Sequence, residues 1–527
     1  SVTTDTTAPT LSNVSIASDN TNTSKAKAND DVTLTFTASE AIGTPVVTFR
    51  SGGDAITDGS VVYRNTSGNT WTAVYTANAS DTDGAVTYSI AFSDTSGNAG
   101  TAVTSGSGSV TTDTTAPTLS NVSITSDNST STLAKANDDI TLTFTASEAI
   151  GTPVVTFRSG GDAITDGSVV YRNTSGNTWT AVYTANSSDT DGAVTYSIAF
   201  SDTSGNAGTA VTSGSGSVTT DTTAPTLSNV SITSDNSTST LAKANDDVTL
   251  TFTASESIST PVVTFRSGGD AITDGSVVYS NTSGNTWTAV YTANASDTDG
   301  AVTYSIAFSD TSGNAGTAVT SGSGSVTTDT TAPTLSNVSI ASDNTNTSKA
   351  KAGDNVTLTF TASKSISTPT VTFASGGSPV NGNVTVQNTS GNTWTAVYTA
   401  NASDTDGAIT FSVSFNDTIG NAGTAVTATS DGTSVAIDNS APTLSNVSIA
   451  SDNTNTSKAR PGDDVTLRFT ASESISTPTV TFRSGGDAIT DGSVVYSNTS
   501  GNTWTAVYTA NASDTDGAVT YSIAFSD

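Results

Sequence analysis

Apolar and polar residues alternate with a period of two along most of this chain. Val32, Leu34, Phe36 and Ala38 are separated by Thr33, Thr35 and Thr37, and Val86, Tyr88, Ile90 and Phe92 by Thr87, Ser89 and Ala91. That spacing sends one face of a strand into a core and the other into solvent. The same reading predicts strands over 11–17, 46–50, 61–65, 70–76 and 102–110. Clusters of Gly, Asn, Asp and Ser separate them, as turns require. No segment carries a helical period.

The pattern recurs. The string Ala-Pro-Thr-Leu-Ser-Asn-Val-Ser-Ile begins at Ala8, Ala116, Ala224, Ala332 and Ala441, at intervals of 108, 108, 108 and 109 residues. One tryptophan falls in each copy, at Trp71, Trp179, Trp287, Trp394 and Trp504. Such self-similarity is the mark of a stack of modules that chiefly contact their neighbours. The copies divide as 1–112, 113–220, 221–328, a divergent 329–437 and a shortened 438–527. The last stops at Asp527, in the phase of Asp94, so the array is expected to continue in both directions. Seven short strands in about 108 residues fit an immunoglobulin-like β-sandwich. The predicted fold class is therefore all-β: a tandem array of seven-stranded sandwiches forming an extended rod. Trp71, Phe36 and Tyr88, with their equivalents, are the expected large core residues. At roughly 40 Å per sandwich, five copies would reach on the order of 200 Å.

Composition narrows the chemistry. Against 47 Asp plus Glu, of which only four are Glu, stand 16 Lys plus Arg, giving a net charge of −31, and Cys, His and Met are absent. Thiol and imidazole catalysis and the usual zinc sites are excluded. The charge argues against a nucleic-acid partner, and no apolar run is long enough for membrane insertion. What remains is a hard cation held by carboxylates. Catalysis is not expected: P-loop, nucleophile elbow and histidine base are all missing, and the paired Asp81 and Asp83 fall in a predicted tight turn. A Thr-, Ser-, Gly- and Asn-rich composition suits an extracellular, bacterial-surface location.

Three short motifs carry a family resemblance: Asp5-Thr6-Thr7-Ala8-Pro9, Asp83-Gly84 before a long strand, and the loop Asp94-Thr95-Ser96-Gly97-Asn98. In order, and repeated in phase, they resemble the bacterial Ig-like repeats of giant cell-surface adhesins, of the biofilm-associated and gliding-motility kinds. The resemblance extends over all five copies. It implies β-sandwiches that often bind calcium near their junctions and a stalk that extends a distal binding domain.

Strand direction places the acids. Successive strands of such a sandwich run up and down between two poles. The linker Asp5, Glu40, Asp94 and Asn98 fall at the upstream pole, whereas Asp19, Asp30, Asp31, Asp54, Asp58, Asp81 and Asp83 fall at the downstream pole. Stacking would set Asp30, Asp81 and Asp83 against Asp113, Glu148, Asp202 and Asn206. The next joint would gather Asp138, Asp189 and Asp191 against Asp221, Glu256, Asp310 and Asn314, and the later ones would use Asp329, Asp417, Asn421 and Asp438. Calcium takes six to eight oxygens at about 2.3–2.6 Å, which such a set could supply. Asp54 and Asp58 suit turn chemistry better, and Asp19 fits either role.

The fourth copy departs from the others. Lys364 stands at the Glu40 position, Ala374 at Arg50, Asn355 at Asp31 and Ser378 at Asp54. Either Glu40 and Arg50 pair and were replaced together, or the Lys364 ammonium sits where an ion would. Two functions follow. One is a structural extender whose partners are calcium and the neighbouring repeats. The other is a repeated surface that binds a ligand, a sister chain or another cell-surface component. The outward threonine rows read as the solvent face of a strand.

Overall fold

In the first copy the alternating segments become two facing sheets. The computed structural model describes residues 2–57, 59–165, 167–273, 275–490 and 492–527; Asp58, expected in a turn, lies outside them. The strands are β1 (Leu11–Ser18), β2 (Lys25–Ala26), β3 (Asp31–Ala38), β4 (Val46–Ser51), β5 (Asp54–Ala55), β6 (Val62–Ser67), β7 (Thr70–Thr76), β8 (Gly84–Ala91) and β9 (Thr111–Thr112). One sheet has the order β1-β3-β7-β6 and is antiparallel throughout. The other has the order β2-β9-β8-β4-β5, with only the β2–β9 pair parallel. Copies two to four repeat both orders, and copy five repeats the first beside a three-stranded second sheet. This is an all-β tandem array of immunoglobulin-like sandwiches.

Each copy has its own core. On β3, Val32, Leu34 and Phe36 are fully buried between threonines that face outward. Burying one such side chain contributes about 1.5–3 kcal/mol. Phe49 of the second sheet packs on Tyr75 of the first with ring centroids 4.8 Å apart. Trp71 differs from expectation. It packs at the rim of the core and is only partly buried, whereas Trp394 of the fourth copy is buried. Tyr63 lies on the strand beside Trp71 in the first copy, and Val386 holds that position in the fourth.

The strand predicted over 102–110 is not continuous. Val103 bridges Ile90 of β8, Ser107 crosses to bridge Ser15 of β1, and pairing with β8 resumes at β9. The Gly106-Ser107-Gly108 sequence explains the crossing. A Cβ on Gly106 would run into the Val14 carbonyl, and Gly108 has φ +76° hard against the Ile16 carbonyl. Only glycine lets the backbone pass there. The crossing covers the edge of β1 and joins the two sheets on that side.

Candidate metal centre

Three separate loops build the upstream pole. The loop after β3 is tied to the loop after β8 by an Ile42–Asp94 bridge, and to the linker by Ser39 N–H donating to the Thr10 carbonyl at 2.9 Å. Glu40, Asp94 and Asp5 are thereby brought into one cluster, with carboxylate oxygens within 4.8 Å of one another. Asp113, Glu148 and Asp202 form the same group, as do Asp221, Glu256 and Asp310. In copy five Asp438 meets Glu473 and Asp527, which hold the phases of Glu40 and Asp94 and complete the site predicted around Asp438. Two oxygens bound to one calcium at about 2.3–2.6 Å lie at most about 5 Å apart, so the spacing fits that ion.

The asparagine expected as a ligand has a bracing role. Asn206 donates through its amide nitrogen to Asp202 Oδ2 and to the Asp113 carbonyl, both at 2.7 Å. Asp202 Oδ1 accepts from the backbone N–H of Ser204 and Asn206. Asn98, Asn314 and Asn421 make the equivalent pairs of bonds. The buried Asp is thus aimed by its own loop, and the linker is fixed to it.

Glu148 is held differently. Among the described residues nothing donates a hydrogen bond to it. Burial pushes its carboxyl above the ordinary glutamate value, and the charges of Asp113, Asp202 and Asp83 push it further. Glu256 is raised by burial and then by Asp221, Asp310 and Asp191. Asp221 is raised by burial and Asp310. Like charges at this separation oppose one another, and a cation between them relieves the conflict.

The downstream acids do not join the triads. Asp83 caps the linker instead: Oδ1 accepts from the Thr114 N–H at 2.7 Å and Oδ2 from the Thr115 hydroxyl at 2.6 Å. Burial pushes Asp83 up, but the Thr115 and Thr114 donors outweigh it and leave the carboxyl below the ordinary aspartate range. Asp191 holds Thr222 and Thr223 in the same way. Asp81 and Asp189 accept from the Asn78 and Asn186 N–H groups of their own turns. Asp19 accepts from the Asp31 N–H, and Asp54 from the Thr82 hydroxyl. Asp30 takes Asn20 Nδ2 at 2.5 Å and lies 3.5 Å from Lys27 Nζ. Asp138 takes Asn128 at 2.6 Å and pairs with Lys135 at 3.0 Å. These bonds fix the turns that receive the next copy.

Residues absent from the sequence reading make the joint itself. Asn20 Nδ2 donates to the Ser204 carbonyl of the next copy at 2.9 Å, and Asn128 to the Ser312 carbonyl at 2.9 Å. The Lys27 and Lys135 stems pass beside Gly205 and Gly313. A basic residue at a fixed phase (Lys27, Lys135, Lys243, Lys351, Arg460) in so acidic a chain was the signal that could have found them.

Glu40 and Arg50 do not pair. Arg50 donates to the Gly53 carbonyl at 2.9 Å at the far end of β4, because β4 carries it to the opposite pole from Glu40. In the fourth copy Lys364 Nζ lies 2.7 Å from Asp329 Oδ1 and 3.4 Å from Asp417 Oδ2.

No protein-family model matches the chain, and no curated protein matches it. Among solved structures it is similar to a tetra-tandem repeat from the extending region of a large adhesion protein, at 18% identity and a TM-score of 0.31, over 81% of this chain and 99% of that one. It is also similar to an I-band fragment of titin, at 15% identity and a TM-score of 0.30, over 62% of this chain and 98% of that one.

Proposed function

We propose that this chain is an extender, a segment of the stalk of a large bacterial surface adhesin whose Ig-like repeats are stiffened by calcium at their joints. The observation that carries this reading is the repeated joint. In copies one to three the acid triad of each upstream pole recurs, and the loop that holds the triad's buried Asp in copies two and three takes an asparagine bond from the copy before. Asp113, Glu148 and Asp202, with their equivalents, would be the ligands, and Asp83 and Asn206 would hold the linker in place. Calcium would supply the positive charge that three converging carboxylates need, and would stabilise the form that binds it. An extracellular setting, where calcium is abundant, goes with this reading. Chelation is expected to lower the melting temperature and to increase bending in small-angle scattering. Curves unchanged by chelator would refute the calcium mechanism.

A second reading draws on apolar residues exposed at regular intervals. Val46, Val154 and Val262 are each 61% exposed. A repeated weak contact of this kind favours lateral association into a fibre by multivalency. Sedimentation at rising concentration, with and without calcium, separates a single rod from an assembling one.

A further inference from the structure

We infer that Lys364 is a tethered cation that closes the third-to-fourth joint in place of a divalent ion, so that this joint alone is independent of calcium. The inference rests on the calcium reading of the sister joints. Lys364 occupies the Glu40 position, and its ammonium sits between the same two aspartates that flank the glutamate elsewhere, 2.7 Å from Asp329 and 3.4 Å from Asp417. It also donates to the Thr331 carbonyl. The surrounding brace is intact: Asn421 still bonds Asp417 Oδ2 at 2.9 Å and the Asp329 carbonyl at 2.7 Å.

Charge explains why the exchange works. Three carboxylates with one divalent cation leave a local charge of minus one, and two carboxylates with one ammonium leave the same. The glutamate and its ion are replaced together by one lysine, at unchanged local charge and with the neighbouring contacts preserved. Asn236 still reaches the next copy, donating to the Ile419 carbonyl at 3.4 Å, and the Lys243 stem still lies beside Gly420. Burial opposes the Lys364 charge, but the bonds to Asp329 and Asp417 outweigh it and hold the ammonium protonated above its ordinary range.

The test uses the full 527-residue chain and calcium chloride as the only probe. Calcium bound per chain is counted by equilibrium dialysis for the parent and for Lys364→Glu, which installs the residue that the sister copies carry. Because the chain has no cysteine, a pair introduced across one joint can be labelled for distance measurement. The variant is expected to bind one more calcium per chain than the parent. Chelator is expected to widen the distance distribution across the second-to-third joint of the parent and to leave the third-to-fourth unchanged. In Lys364→Glu both should widen. A parent that binds calcium and a variant that binds no more would overturn the inference and leave the calcium reading standing. Equal widening of both joints in the parent would do the same. A parent that binds no calcium would remove the calcium reading, and this inference with it.

Discussion

At the residue scale, three carboxylates crowd one space and oppose one another, eased only in part by Lys25 beside the Glu148 site, and their titration should report it. Glu148 and Glu256 sit above the ordinary glutamate value in the folded chain. Without calcium this is a cost fully present at neutral pH and relieved as pH falls through the raised values, because the folded state then binds more protons than the unfolded one. Asp83, Asp191 and Asp299 lie below the ordinary range, through Thr bonds that outweigh burial. Their contribution is present above the unfolded value and is lost as pH falls through the lower folded one. The metal-free chain should therefore melt highest between those two ranges, and thermal scans across pH in chelator will show whether it does. A steady loss of stability from neutral pH downward would contradict the assignment. Glu256→Gln removes one of the opposed charges. It should stabilise the metal-free chain by about 0.2–1 kcal/mol and cost one bound calcium. The triad was legible in the sequence because strand direction alone places Asp5, Glu40 and Asp94 at one pole. The amide direction of Asn98 was not legible, since it depends on a backbone carbonyl of the linker, and neither was Asn20, whose partner belongs to another copy.

At the element scale, alternation located β1, β3, β4, β7 and β8 to within a residue or two at each end, because each has one face in a core; β6, exposed except at Tyr63, is held by its pairing with β7. β2, β5 and β9 span two residues each, too short to carry a period, and they are set by their neighbours. The broken strand after β8 is the instructive case. The sequence predicts a single strand over 102–110, but Gly-Ser-Gly lets the chain step across to β1 partway along it. Gly216, the second-copy equivalent of Gly108, has φ +79° against the Ile124 carbonyl. Gly216→Ala should cost about 1–3 kcal/mol through backbone strain and open the edge of that copy's first strand. Gly275→Ala, at a glycine with open space around its Cα, should be close to neutral. Chemical unfolding of the two variants decides this, and equal effects would mean that the crossing contributes nothing to stability.

At the scale of the whole chain, five separate cores mean that fold stability and rod stiffness depend on different residues. A core substitution acts within one copy, whereas a joint substitution acts between two. Asn128 belongs to the second kind: one amide nitrogen bonds Asp138 within its copy and the Ser312 carbonyl across the joint. Asn128→Ala should remove about 0.5–1.5 kcal/mol of that docking and leave the second core, centred on Leu142 and Phe144, untouched. The expected result is a melting temperature close to the parent's, with a broader angle between copies two and three in electron micrographs. Asn20→Ala should broaden the first joint in the same way. The double variant should show both effects without interaction, because the two bonds share no partner. If the joint were one cooperative unit with the cores, Asn128→Ala would instead lower the melting temperature and leave the angle distribution unchanged.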